Sequence, residues 1–446
     1  MSKIKFVIKR NGVEVPFTPL RITNAIYRSA VSVGGRDKER AEFLSSEVVK
    51  CLEEKIEPGY KPNIEEVQDA VEKILIENGH AKVAKAYILY REEAARKRRK
   101  AGNDSSRPSE KIPWAKIWSK LDWAVTHDLH TVEALNKRLR NGEVRDVISA
   151  SEDAYEGDVA SAAKLITERA GNLKMVIVTG PSSSGKTTST IKIEQRLRER
   201  GLKFKPINID HYFFNLEMHP KDEFGDYDFE TPQALDLKLI NEHLVDLCDG
   251  KSVKIPYYDF KTGQRTLNHS DFSLEKGEIL LIDSLHGLYP AMTEGIPDEQ
   301  KFKTYLEPLL QMKDSDGDYI RWTDVRMIRR MLRDSVQRAY NPQQTLEHWH
   351  YVRNSELRHI IPYINTTDYI ISSAMPYELA IYRHRLLDKF AEWVEIFQGD
   401  PLKEDAFTRA SRIYNFLKEI DPIEDDSPVP TDSVLREFIG GSIFSY

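Results

Sequence analysis

The sequence predicts an α/β protein, a parallel sheet flanked by helices, preceded by a small α/β module and a mainly helical segment. Three observations carry this. Apolar, strand-sized runs recur at about 173–179, 204–209 and 279–283 with helical stretches between them, the alternation that builds a parallel sheet. A glycine-rich turn joins the first of these runs to a helix over about Lys186–Gly201. Ahead of them, hydrophobic spacing within residues 1–95 passes from strand-like to helical, as a separate small module would require.

In chain order, Lys5–Lys9 reads as a strand, Lys9-Arg10-Asn11-Gly12 as a turn and Val13–Phe17 as the returning strand. Helical spacing follows in Ile22, Ala25 and Ile26, then in Ile64, Val67, Val71 and Ile74. Asn63 with Glu66 three residues on, just after Pro62, forms a capping-box start, and Gly79 is a stop. A third helix around Val83–Tyr90 runs into the basic stretch Arg91–Lys100, which reads as a solvated helix end rather than a nucleic-acid patch. Residues 96–110 are a linker without periodicity, 111–170 a mainly helical connecting segment with Val132, Leu135 and Leu139 on one face, and 171–446 the sheet domain. Late helices are expected around Val325–Arg338, Glu378–Phe397 and Asp405–Ile420.

Composition narrows the function classes. The chain has 446 residues, suggesting about three domains at roughly 150 each. With 40% hydrophobic and 30% charged residues it is too apolar for a disordered chain. No apolar run approaches the roughly 18 residues of a membrane span, and the first residues lead into a strand without an apolar signal core. Two cysteines, Cys51 and Cys248, build neither a disulfide framework nor a four-cysteine zinc site. A net charge of −6 supplies no field that draws nucleic acid. A cytoplasmic protein is expected.

Gly180-Pro181-Ser182-Ser183-Ser184-Gly185-Lys186-Thr187 satisfies the phosphate-loop pattern G-x-x-x-x-G-K-[ST], and Thr188 continues it. The glycines let the backbone curl so that successive N–H groups point at phosphate oxygens, and the following helix adds its positive end. Lys186 then reaches the outer phosphates of ATP, and Thr187 offers a hydroxyl to Mg²⁺. Asp210 ends the run Pro206–Asp210, at the carboxyl edge of the sheet where ligands bind, placed either to take a proton from a substrate hydroxyl or to hold Mg²⁺ through water. Asp283 closes Ile279–Asp283, an apolar strand plus acid suited to holding Mg²⁺. Arg326, Arg329, Arg330, Arg333 and Arg338 lie on one or two faces of a helix, where a closing lid would present them to a transferring phosphoryl group. His348 and His350 flank Trp349 at a spacing that does not share a helix face, so no metal site is expected there.

Residues 173–375 resemble the phosphoribulokinase/uridine kinase family of P-loop kinases, in particular its long bacterial uridine kinase-like subgroup. The resemblance rests on Gly180–Thr188, Ile209–Phe213, Pro232–Asp236, Pro256–Phe260, Asp283–Gly287 and Arg329–Asp334, in the family's order. Leu135–Glu152 and Leu435–Ser442 are similar to further segments of the subgroup. The first 95 residues resemble an ATP-cone, through Lys9–Gly12, Phe17, Arg21-Ile22 and Glu65–Arg91. The resemblance implies a P-loop NTPase fold and an ATP- and Mg²⁺-dependent kinase acting on a nucleoside hydroxyl. Asp210 would be the base, Lys186, Arg329, Arg330 and Arg333 would stabilise the transferring phosphoryl, and Thr187 and Asp283 would organise the metal. Glu230, Tyr258 and Arg265 would contact substrate, and Lys9, Arg10, Asn11 and Arg21 a regulatory ATP or dATP. Three positions depart from the family pattern: Glu230 replaces an Asp that holds ribose hydroxyls, Gly263 a His that contacts the pyrimidine, and Asp283 a Glu. The alternatives are a kinase of a sugar, polyol or phosphorylated acid, or a non-catalytic nucleotide-sensing regulator. Expected partners are a small-molecule substrate, a regulatory adenine nucleotide and further copies in a homo-oligomer, with no nucleic acid and no membrane.

Overall fold

In the computed structural model, which describes residues 4–8, 14–54, 61–89, 91, 112–220, 227, 230–337 and 341–445, strand β1 (Phe6–Ile8) pairs antiparallel with β2 (Glu14–Pro16), Val7 opposite Val15. The turn expected between them lies outside the described residues. The helix Pro19–Val31 opens on a proline, whose missing N–H is one the first turn leaves unpaired anyway. Asn63 and Glu66 make the reciprocal capping box of the helix Ile64–Glu77: Glu66 N donates to Asn63 Oδ1 at 2.9 Å and Asn63 N to Glu66 Oε2 at 2.8 Å. Gly79, at φ +80°, ends it, and a further helical run occupies 81–89. Ile22, Ile26, Leu44, Val48, Val71, Leu75 and Tyr87 share the core of this unit.

One helix here escapes the sequence reading, Lys38–Glu53. Its buried face is Ala41, Leu44, Ser45, Val48 and Leu52. Ser45 interrupts the apolar stripe, yet it fits because its hydroxyl donates to Pro19 O at 3.1 Å. Arg91, the first residue of the basic run, bonds to Glu65, Asp69 and Glu72 at 2.8, 2.8 and 2.6 Å. The rest of that run and the linker at 96–110 lie outside the described residues.

The described residues form two compact units, the one above together with Gly399–Glu404, and a second made by the remainder. The second unit is built on a five-stranded parallel sheet. Its strands are β3 (Met175–Thr179), β4 (Lys203–Asn208), β7 (Glu278–Ser284), β8 (Lys301–Glu307) and β9 (Tyr369–Ser372), in the order β4-β7-β3-β8-β9. A separate antiparallel pair is made by β5 (Val253–Asp259) and β6 (Gln264–Phe272). Side chains alternate across the sheet, so Met175, Ile177, Leu280 and Ile282 pack with Ile240, Leu244 and Leu247 of the helix Leu237–Cys248. Val176, Val178 and Leu281 join the larger core, which includes Val159, Ile193, Ile328 and Phe390 from four further helices.

Strands β8 and β9 were not foreseen. Lysines at 301 and 303 break the apolar run of β8, but Lys301 is buried with its ammonium 3.0 Å from Thr293 O and 3.1 Å from Asp298. The helices expected within 111–170 are present, and Leu129, Val132, Leu135 and Val147 belong to the same core as the sheet, so this segment does not stand apart. The helix expected to act as a lid is Trp322–Gln337, and Val325, Met327, Ile328 and Met331 are fully buried along it. It is a core helix, a correction to the lid expectation, with arginines at the spacing of the face that meets the phosphate loop. Among the described residues no helix is long and apolar enough to cross a membrane.

Candidate active site

Register sets the site. Val178 of β3 and Asn208 of β4 both lie level with Asp283 of β7, so the turns leaving these strands emerge side by side at the carboxyl edge. The turn after β3 is the glycine-rich loop. A Cβ on Gly180 would sit 2.2 Å from the backbone oxygen of Leu306 in β8, which cannot move aside. Gly185 has φ +90° and Ser183 φ +59°, left-handed conformations that curl the loop back on itself. The helix Lys186–Glu199 then starts with no side-chain cap from Gly185, its first amides turned to the loop's hollow. Ser183 and Ser184 hydroxyls are buried there with no hydrogen-bond partner among the described residues.

Lys186 crosses the loop, its ammonium donating to Pro181 O at 3.3 Å. Enclosure by protein pushes its pKa down, against the pull of the Asp283 carboxylate. The same enclosure raises the Asp283 carboxyl to about 6, opposed by Lys186. Thr187 Oγ1 donates to Asp283 Oδ2 at 3.4 Å. Asp210 lies in the short turn Ile209–Tyr212, opened by Asn208, whose Oδ1 accepts from Asp210 N at 2.9 Å. The Asp210 charge raises the Asp283 pKa further, so the two acids are within electrostatic reach. Lys186, Thr187, Asp210 and Asp283 thus converge.

The arginines divide. Arg330 donates to Glu230 Oε1 at 2.9 Å and approaches Ser182 Oγ at 3.4 Å, and Arg333 stands 3.8 Å from Glu437 with its charge felt at Lys186. Arg329 does not face the loop's hollow. It is fully buried, bidentate to Glu378 at 2.7 and 3.0 Å, and bonded to Ser373 O at 2.6 Å and Ser373 Oγ at 3.1 Å. Ser373 Oγ in turn donates to Ser184 O at 2.5 Å. Arg326 does the same job from the other side, donating to Ser182 O at 3.0 Å and to Glu356 at 2.6 and 2.8 Å. The expected transition-state role of Arg329 is therefore corrected to that of a support for the loop backbone. Glu356, Glu378 and Ser373 were missed because only tertiary folding brings them here. The 326, 329, 330, 333 spacing was the one signal for the shared face.

The substrate candidates fall in two places. Glu230 joins the loop through Arg330, and its backbone oxygen accepts from the Ser355 hydroxyl. Tyr258 and Arg265 are register partners across β5 and β6. Arg265 pairs with Asp236 at 2.9 Å and lies over the Phe214 ring at 5.0 Å. Tyr258 is 2% exposed, with its ring packed against those of Phe213 and Phe260, centroids 5.6 and 5.0 Å away. At Gly263, φ is +68° and a Cβ would lie 2.8 Å from Leu216 Cβ; its N donates to Asp259 O and its carbonyl accepts from Leu216 N, each at 2.8 Å. The glycine is what this turn requires. Of the regulatory-site residues, Arg21 is exposed in the first turn of Pro19–Val31, and Lys9, Arg10 and Asn11 lie outside the described residues.

A left-handed glycine-rich loop between a central parallel strand and a helix, flanked by acids at neighbouring strand ends, defines a P-loop phosphate-binding protein. Residues 175–379 match the Phosphoribulokinase / Uridine kinase family, and residues 5–96 match the ATP cone domain. Uridine kinase of Chloroflexus aurantiacus is 30% identical over 172 residues, 39% of this chain and 73% of that protein. Uridine kinase of Deinococcus deserti is 28% identical over 195 residues, 44% of this chain and 84% of that protein. The vitamin B12-dependent ribonucleoside-diphosphate reductase of Thermoplasma acidophilum is 43% identical over 94 residues, 20% of this chain and only 12% of the reductase. The chain belongs to the phosphoribulokinase/uridine kinase family of P-loop kinases and carries an ATP-cone domain ahead of the kinase fold.

Two substitutions test this geometry. Arg329→Ala leaves Glu378 buried without its counter-charge and should lower the unfolding free energy by about 3–5 kcal/mol in urea denaturation. A loss under 1 kcal/mol would mean the pair is not closed in solution. Gly263→His should not create a base-reading group. It should destabilise the fold by roughly 1–3 kcal/mol through overpacking against Leu216, read as a lower thermal midpoint.

Proposed function

We propose that the protein is an ATP- and Mg²⁺-dependent kinase that phosphorylates a hydroxyl of a nucleoside and is regulated by ATP or dATP at its ATP-cone. The observation that carries the catalytic reading is the convergence of Lys186, Thr187, Asp210 and Asp283 on one loop. The nucleoside reading is supported by the uridine kinases that the chain resembles over the kinase segment. The linker at 96–110 would connect the sensing and catalytic parts.

The loop amides and Lys186 bind the phosphates and hold the outer one against the acceptor, since catalysis of this transfer is mainly positioning and charge stabilisation. Asp210 accepts the proton of the attacking hydroxyl. Arg330 and Arg333 set positive charge beside the loop where the transferring group gathers negative charge. A hydroxyl and a carboxylate 3.4 Å apart, Thr187 and Asp283, are hard oxygen donors that fit Mg²⁺, an ion that retains several waters beside one or two protein ligands. Mg²⁺ bound there would neutralise charge on the outer phosphates. Glu230 and Arg265 remain the candidates for orienting the acceptor.

Loss of Lys186 should be felt in turnover by orders of magnitude. Asp210→Asn should keep ADP affinity within about twofold while slowing transfer roughly 10²–10⁴-fold, as removal of a positioned base does. Retention of a tenth of the activity would refute the base role. A screen of ADP release across nucleosides, pentoses, polyols and phosphorylated acids checks the acceptor, and activity confined to a non-nucleoside would move the assignment to that class.

For the ATP-cone, full-length Lys186→Ala protein should still bind ATP or dATP in calorimetry, and adding Arg21→Ala should abolish that binding. No binding at millimolar nucleotide would reduce the module to a structural element. If the sites are coupled, acceptor and effector must change one another's affinity by the same factor.

A further inference from the structure

The segment from Asp432 to Gly440 runs alongside the helix that leaves the phosphate loop. Asp432 Oδ2 accepts from Lys192 Nζ at 2.8 Å, and Val434 packs so closely on Gly185 that a Cβ there would fall 2.4 Å from its Cγ2. Glu437, 4% exposed, is the acid this segment delivers to the loop. Its Oε2 accepts from Thr188 Oγ1 at 2.8 Å and lies 3.4 Å from Thr188 N, while Oε1 stands 3.8 Å from Arg333. Thr188 is the third residue of the helix Lys186–Glu199, so its N–H is one of the four that have no acceptor within the helix. In a phosphate loop those first amides are the donors that cradle the inner phosphates of a nucleotide. The Glu437 charge is felt at Lys186, where it opposes the lowering by burial, and at Asp283, where it adds to the rise that burial causes.

We propose that Glu437 is the resident anion of the nucleotide site, a carboxylate that occupies donors on Thr188 which a nucleotide phosphate must take over, so that it sets nucleotide affinity. The inference rests on the kinase reading of the loop and deepens it. When the loop is empty, Glu437 satisfies the positive end of the helix and keeps Thr188 bonded. When a nucleotide arrives, two anions compete for one set of donors in an enclosed site, where like charges repel far more strongly than in water. The carboxylate gives way, with Arg333 already beside its other oxygen. Glu437 is therefore a determinant of affinity and not a group that takes part in transfer.

The test is calorimetric titration of the full chain with ADP in the absence of Mg²⁺, counting only the binding that Lys186→Ala removes. Glu437→Gln keeps the shape and the acceptor for the Thr188 hydroxyl but deletes the charge. It should tighten this binding about tenfold, with the thermal midpoint of the unliganded protein held or lowered. Glu437→Asp, which keeps the charge and withdraws it by one methylene, should tighten it less than Glu437→Gln does. Unchanged or weaker ADP binding in Glu437→Gln, or equal tightening in both variants, would overturn the proposal and leave the kinase reading standing. Wild-type protein with no ADP binding that depends on Lys186 would overturn both.

Discussion

A phosphate loop must hold its amides toward an anion even when none is bound, and its left-handed residues do not maintain that shape unaided. Here the shape is maintained by two buried guanidinium groups that grip the loop's own carbonyls. Arg326 holds Ser182 O directly, and Arg329 holds Ser184 O through Ser373. Each brings its own carboxylate, Glu356 or Glu378, because an unpaired charge in such surroundings costs several kcal/mol. On the helix Trp322–Gln337 these charges lie among the buried Val325, Met327, Ile328, Met331 and Leu332.

This arrangement separates two uses of arginine on one helix. Arg326 and Arg329 are spent on backbone geometry, whereas Arg330 and Arg333 stay at the edge of the loop, beside Glu230 and Glu437. Four acids stand near the loop: Asp210 and Asp283 from the strand ends, Glu230 through Arg330 and Glu437 from the late segment.

Much of the geometry around the loop was legible in local sequence. The spacing from Gly180 to Thr187, the acids closing the runs at 210 and 283, and the Asn63–Glu66 cap each depend on residues within a few positions of one another. What escaped was non-local or masked by a polar residue. Ser45 hid the helix Lys38–Glu53, and Lys301 hid strand β8, because each polar group finds its partner on another element. The lid expectation failed for a related reason: nothing local to a row of arginines shows that Glu356 and Glu378, far away in sequence, take two of them into the core.

By itself, then, the sequence determined the class of fold, the phosphate loop with its lysine and threonine, and the division into a cone-like module and a kinase segment. The fold class and the loop follow from backbone periodicity and from residue types that one local geometry demands, and the cone-like and kinase characters of the two parts from motifs that resemble those families. Tertiary structure alone decided which arginines face the loop and which support it, that Gly263 has no room for a side chain, that Tyr258 is buried among aromatic rings, and that Glu437 reaches Thr188. Each of those depends on distances between residues separated by tens to hundreds of positions, and no local pattern encodes them because the contact exists only once the chain has closed around its sheet.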